Sequence, residues 1–141
     1  MPAAQDLLIL RPMLVLACWT LLVLLLVPWV RWRAMRRHGL DWDDFRHGES
    51  LRVPPEARVP NRAVMHLLEI PVLFYVVCLG VALAGRTDAW ALRLAWAYVA
   101  LRLLHSLIHL GYNRVTHRLA VFAASNVVLG AMLVRLLWQL R

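Results

Sequence analysis

Four long apolar blocks limit what this chain can fold into. Each is rich in Leu, Val, Ala and Ile and has about twenty residues, enough for a helix to cross the roughly 30 Å hydrocarbon core of a bilayer. Because lipid offers the backbone no hydrogen-bonding partner, such blocks cross a membrane as helices. We predict transmembrane helices over about residues 7–30, 62–84, 89–111 and 118–139. The sequence therefore predicts an all-α membrane protein, with residues 1–141 forming one four-helix bundle.

The overall composition agrees with this fold class. Hydrophobic residues make up 62% of the chain, and its mean hydropathy is +0.62. A water-soluble domain of this composition would expose large apolar patches and associate. Membrane lipids are thus the first predicted partners.

The distribution of arginine predicts the orientation in the membrane. The net charge is +8, and the chain has no lysine. Most arginines between the spans fall in the loop 31–61, whose first residues to about Arg37 extend helix one, and in the short loop after the third helix, which contains Arg114 and Arg118. The positive-inside rule places both loops in the cytoplasm and both termini on the other side, as in a multi-pass protein of the bacterial inner membrane. These arginines flank apolar blocks without a recognisable nucleic-acid-binding motif, so no nucleic-acid partner is expected.

Polar side chains form a stripe on helix two. Arg62, His66 and Glu69 follow i, i+4, i+7 spacing and share one helix face. Pro71 follows, and two interpretations stay open: it bends the helix and opens space beside them, or it is simply tolerated by the packing.

Helix three carries a second stripe, Arg102, His105 and His109. In antiparallel helices this places Glu69 level with Arg102, and His66 level with His105, with Asn126 of helix four nearby. We hypothesise a buried pair between Glu69 and Arg102, within one subunit or across an interface.

Ionisable groups at membrane depth are costly and usually face a protein interior or a wet cavity. Three interpretations of the stripes stay open at this point. They are polar contacts for helix packing, a pocket for an anionic ligand clamped by arginines, or a metal site on the histidines. The neighbouring arginines disfavour a cation, so no metal ligands are predicted. Cys18 and Cys78 lie inside apolar blocks and are read as small core residues.

The residues of helices two to four also resemble a known family. The stretches NRAVMHLLEIPVLFYV and LRLLHSLIHLGYNRVTHRLAVF are similar to members of the MAPEG family (membrane-associated proteins in eicosanoid and glutathione metabolism), especially its bacterial, largely uncharacterised branch. The resemblance covers essentially the whole chain. It implies a homotrimer of four-helix subunits that holds glutathione between neighbouring subunits near the cytoplasmic face.

The resemblance also implies roles for single residues. Arg62, His66 and Glu69 match the helix-two positions that hold glutathione, and Arg102, His105 and His109 match the helix-three positions. Arg118 matches the arginine that stabilises the glutathione thiolate and is the implied catalytic residue. Arg31 or Arg33 matches a further contact from the end of helix one. His66 stands where Asn is usual, and His109 and Phe122 stand where Tyr is usual.

Two functions follow as hypotheses. The first is a glutathione-dependent transferase or peroxidase that acts on a lipophilic electrophile. The alternative is a non-catalytic membrane protein that keeps the fold and uses the polar cluster for another anion or for the trimer interface; the three changed positions favour it. A channel or transporter subunit fits less well, because the polar stripe stays in one half of the bilayer.

Overall fold

The computed structural model of the protein describes residues 5–46 and 52–141. Within these ranges it is helical, with five α-helices and two short 3₁₀ turns at Asp6–Ile9 and Trp42–Phe45. The helices are α1 (Leu10–His38), α2 (Pro55–Leu68), α3 (Pro71–Leu83), α4 (Ala89–Leu110) and α5 (Val115–Gln139).

Four of the described segments are long and apolar enough to cross a membrane. They are Asp6–His38, the α2–α3 pair Pro55–Leu83, Ala89–Leu110 and Val115–Gln139. Large apolar side chains such as Leu83 and Trp138 are about four-fifths exposed, as expected of surfaces that meet lipid rather than water. The predicted all-α, four-span architecture is confirmed.

The segment predicted as the loop 31–61 is partly helical. The first helix runs on to His38 and ends at Gly39, whose φ of 60° is the left-handed conformation that terminates helices. The second helix already begins at Pro55, whose ring presets the helical φ and whose missing N–H is not needed at a first helical position. Residues 47–51 of the predicted loop lie outside the described residues.

The second span is broken near its middle. The helix α2 ends at Leu68, Glu69 and Ile70 lie between the two helices, and α3 begins at Pro71. Proline has no amide hydrogen, so it cannot donate to the Leu67 carbonyl as a continuous helix would require. Of the two interpretations of Pro71, the bend is therefore present, as an interruption.

The helix α4 is the centre of the bundle and packs against α5, α1 and α2. Leu16, Phe74, Ala95 and Tyr98 are fully buried in this core. The rings of Phe74 and Tyr98 stack with centroids 4.5 Å apart. We call the end of the bundle formed by His38, Pro55, Leu110 and Val115 the basic end.

Polar contacts join the helices at the opposite end. The Asp88 carboxylate accepts a hydrogen bond from the Ala91 amide at 2.8 Å and so caps α4. It also pairs with Arg135 of α5. The Ala91 N–H, with a smaller effect from the Arg135 charge, holds the pKa of Asp88 below its ordinary value. The buried Asp6 meanwhile accepts hydrogen bonds from Thr87.

Candidate functional site

Three histidines from two helices meet near the basic end. His66 of α2 lies beside His105 and His109 of α4, with ring centroids 6.0 Å and 5.6 Å away. The two α4 rings are 6.3 Å apart, since residues four apart lie on one helix face. His105 and His109 are buried and His66 is partly exposed. Among the described residues no group of His, Cys, Asp and Glu has the geometry to hold a metal ion.

The first turn of α5 brings Arg118 against this histidine cluster. Its Nη1 lies 2.7 Å from Nδ1 of His109 and donates to Oδ1 of Asn113 at 2.9 Å. The same Nδ1 also lies 3.0 Å from Oδ1 of Asn113. A guanidinium only donates and an amide oxygen only accepts, so the role of Nδ1 depends on the tautomer of the ring. The other ring nitrogen, Nε2, is buried and has no hydrogen-bond partner among the described residues.

A cavity of about 190 Å³ opens beside Arg118. Its lining combines three polar residues, His66, His105 and Arg118, with three apolar residues, Val115, Leu119 and Phe122. Neither Nε nor Nη2 of Arg118 bonds to a described residue. The cavity can thus take a molecule that carries both an anionic group and an apolar group.

Arg102 lies deeper in α4 and is fully buried. Its Nε donates to the Tyr98 hydroxyl at 2.9 Å and its Nη2 to Oδ1 of Asn126 at 3.2 Å. The guanidinium carbon lies about 5 Å from the ring centroids of Tyr98 and Phe122, at 5.2 Å and 5.3 Å. Phe122 also contacts His105, at 5.9 Å between ring centroids, so Arg102 borders the cluster through Phe122.

Glu69 does not pair with Arg102 within the chain, so the intramolecular form of that hypothesis is wrong. Its carboxylate lies 3.4 Å from Nδ1 of His66, and its side chain is 57% exposed. The physical reason is the break in the second span, which ends α2 before Glu69. A pair between chains stays a prediction.

The predicted site residues therefore separate into groups. His66, His105, His109 and Arg118 come together, and Arg102 lies next to them. Arg62 is exposed on α2. Of the two helix-one candidates, Arg31 lies over the Phe45 ring and Arg33 over the Trp29 ring.

Sequence reasoning missed two residues of the site. Tyr98 is four residues before Arg102 on the same helix, and i, i+4 spacing is the signal that would have found it. Asn113 has a positive φ of 49°, which Asn tolerates better than most residues. A turn asparagine after Gly111 is thus the signal for its position beside Arg118.

Fold and site together define an integral multi-pass membrane protein with a histidine- and arginine-lined cavity at one end of a four-span bundle. The model of the MAPEG family matches residues 9–138, and the chain belongs to this family. Neither the curated proteins nor the solved structures include a match to it.

Proposed function

We propose that the protein is a glutathione-dependent transferase or peroxidase acting on lipophilic electrophiles. One observation carries the proposal. Arg118 lines the cavity together with two histidines and three apolar residues, and two of its nitrogens are not bonded to described residues. Membership of a family associated with glutathione supports the choice of the thiol.

The proposed chemistry uses Arg118 as the activating residue. A free thiol has a pKa of about 8.5, and a cation beside the sulfur lowers it and increases the thiolate fraction. His66 faces the same cavity and contacts Glu69, so it is placed to accept the thiol proton. The thiolate then attacks the electrophilic carbon, and the bond to the leaving group breaks as the sulfur–carbon bond forms.

The remaining site residues bind and orient glutathione in this proposal. Arg62, Glu69 and Arg102 carry charges for its carboxylates and amine, and His105 and His109 offer ring nitrogens. The apolar substrate reaches the cavity from the bilayer, past Leu119 and Phe122. The active assembly is a homotrimer in the bacterial inner membrane, with both chain termini on the non-cytoplasmic side.

The test is glutathione conjugation by the detergent-purified protein, with 1-chloro-2,4-dinitrobenzene as the electrophile. Replacing Arg118 by Ala removes a charge that acts on the reacting sulfur, and such losses cost about 100-fold in rate or more. Arg114→Ala is the matched control, because Arg114 precedes α5 and is exposed. We expect kcat/KM to fall for Arg118→Ala alone. Equal rates for the two variants would remove Arg118 from the mechanism.

A second function has an observation of its own. The contacts of Arg118 with His109 and Asn113 already satisfy one end of the guanidinium inside the chain, which suits a binding or structural protein as well as an enzyme. The polar cluster would then hold another anion or a neighbouring subunit. Isothermal titration with glutathione separates the two functions, since no heat at millimolar ligand supports the second.

A further inference from the structure

Two tryptophan–arginine pairs stand on the last turns of α1. The guanidinium of Arg33 lies 5.6 Å from the Trp29 ring centroid, and that of Arg36 lies 4.5 Å from the Trp32 ring centroid. Both pairs have i, i+4 spacing, and Arg37 continues the first row by four more residues. We call Trp29, Trp32, Arg33, Arg36 and Arg37 the Trp–Arg ladder.

The ladder faces away from the core. At about 100° per residue its five side chains fall within an arc of about 140°. Val23, Val27 and Ala34 are buried on the other side of the helix. All five ladder residues are exposed.

The described acidic groups near the basic end form no ion pair with the ladder. Asp43 pairs with Arg46 at 3.8 Å and Asp44 with Arg52 at 3.5 Å, so the loop after α1 pairs its own charges. Arg33, Arg36 and Arg37 form no ion pair with any residue in the described ranges 5–46 and 52–141. Three positive charges therefore remain next to two exposed indoles.

A groove of about 70 Å³ runs along one side of the ladder. Arg33, Arg37 and His38 line it from α1, and Pro54, Glu56 and Ala57 line it from the start of α2. Two arginines on the α1 side suit a phosphodiester. The one carboxylate that lines the groove, Glu56, leaves it with a positive excess.

We propose that the Trp–Arg ladder binds the headgroups of anionic phospholipids. Indole rings favour the boundary between acyl chains and headgroups. A guanidinium stacked on an indole keeps its N–H edge free, and that edge matches two phosphate oxygens. The exposed position, the charge excess and the aromatic rings all fit a lipid that carries a net negative charge, rather than a zwitterionic one. No ladder residue lines the cavity beside Arg118, and the proposal does not depend on the proposed enzymatic function.

The experiment is native mass spectrometry of the detergent-purified full chain with added dioleoyl phosphatidylglycerol or dioleoyl phosphatidylcholine. We expect tighter binding of phosphatidylglycerol. Each arginine near an anionic surface contributes about 1 kcal/mol, or about fivefold. The triple variant R33Q/R36Q/R37Q should thus bind phosphatidylglycerol at least about tenfold more weakly. The matched control R11Q/R86Q/R141Q removes the same charge from exposed positions elsewhere and should lose much less. Circular dichroism confirms that each variant remains helical.

Three results would overturn the proposal. Equal binding of the two lipids would show no recognition of headgroup charge, and equal losses in the two triple variants would show only a net-charge effect. Inorganic phosphate that displaces phosphatidylglycerol at equal concentration would show a site for free phosphate instead.

Two further variants test what the ladder requires. The variant R33K/R36K/R37K keeps the charge but not the planar guanidinium, so we expect it to bind more weakly than wild type; equal affinity would overturn the role of stacking. Arg37→Cys, in a chain with Cys18 and Cys78 replaced by Ser, tests whether a second copy covers the ladder. Oxidative cross-linking between chains would overturn the lipid assignment, and its absence supports it.

Discussion

Arg102 is a buried charge that depends on its neighbours for stabilisation. It is a permanent cation with no exposed surface, inside a membrane-spanning helix. Its surroundings supply two hydrogen-bond acceptors, on Tyr98 and Asn126, and two aromatic faces. Leaving a charged donor unpaired away from water costs more free energy than the hydrogen bond contributes when it is formed. These contacts therefore stabilise the packing of α4 against α5.

Replacing Tyr98 by Phe should lower the free energy of unfolding. Phenylalanine keeps the ring that stacks on Phe74 but leaves Nε of Arg102 without its acceptor, at a cost of about 1–3 kcal/mol. The measurement is unfolding in mixed micelles by titration with sodium dodecyl sulfate. Tyr112→Phe is the control, because Tyr112 is exposed and bonds only to His117 at the surface. Similar losses in both variants would show that the Arg102 bond contributes nothing specific.

At the scale of elements, the four spans could be predicted because hydrophobic length is a direct requirement of the bilayer. The meeting of His66 with His105 and His109 also followed from helical periodicity and antiparallel packing. The position of Glu69 did not. The i, i+7 rule assumes one continuous helix, but α2 ends at Leu68 and Glu69 has a non-helical ψ of −84°. The sequence shows the proline, but it does not show the direction that the chain takes after the break in the span.

The cap of α4 gives a pH-dependent prediction. Because the folded state lowers the pKa of Asp88, its stabilisation is complete above the usual aspartate pKa of about 3.9 and is lost as pH falls through the lower folded-state value. Asn caps a helix about as well as Asp, so Asp88→Asn removes mainly the charge. We expect the variant to be less stable than wild type at pH 7, by less than about 1 kcal/mol for an exposed pair.

The difference in unfolding free energy between Asp88→Asn and wild type should shrink as the pH is lowered from 5 to 3. The measurement is the unfolding free energy of both proteins at each pH. Asp43→Asn is the control, since Asp43 is exposed and pairs only with Arg46 in the loop after α1. A stability difference between Asp88→Asn and wild type that stays constant to pH 3 would contradict the assignment.

At the scale of the whole molecule, the exposed Glu69 points to assembly. A carboxylate on the outer surface of a membrane span is costly, and a neighbouring subunit can supply a second partner besides His66. The proposed homotrimer would cover Glu69 and complete the site. Arg62, which is exposed on α2, would be covered with it.

Glu69→Gln should therefore shift the proposed homotrimer towards monomer in native mass spectrometry. Glu56→Gln is the control, because Glu56 is an exposed carboxylate in the first turn of α2 and should leave assembly unchanged. A double-mutant cycle with Arg102→Met tests the pair between chains, where coupling of about 0.6–1.7 kcal/mol is the range measured for contacts inside membranes. Single losses that simply add would exclude the pair.

The burial of Arg102 also has a consequence for biosynthesis. The span Ala89–Leu110 that contains it has a mean hydropathy of 1.3, below the 2.5, 2.1 and 1.9 of the others, and two of its shielding groups, Phe122 and Asn126, come from α5. When that span emerges from the ribosome, those groups are still inside the exit tunnel. The third span therefore inserts poorly by itself. It becomes stable in the bilayer only after α5 has emerged.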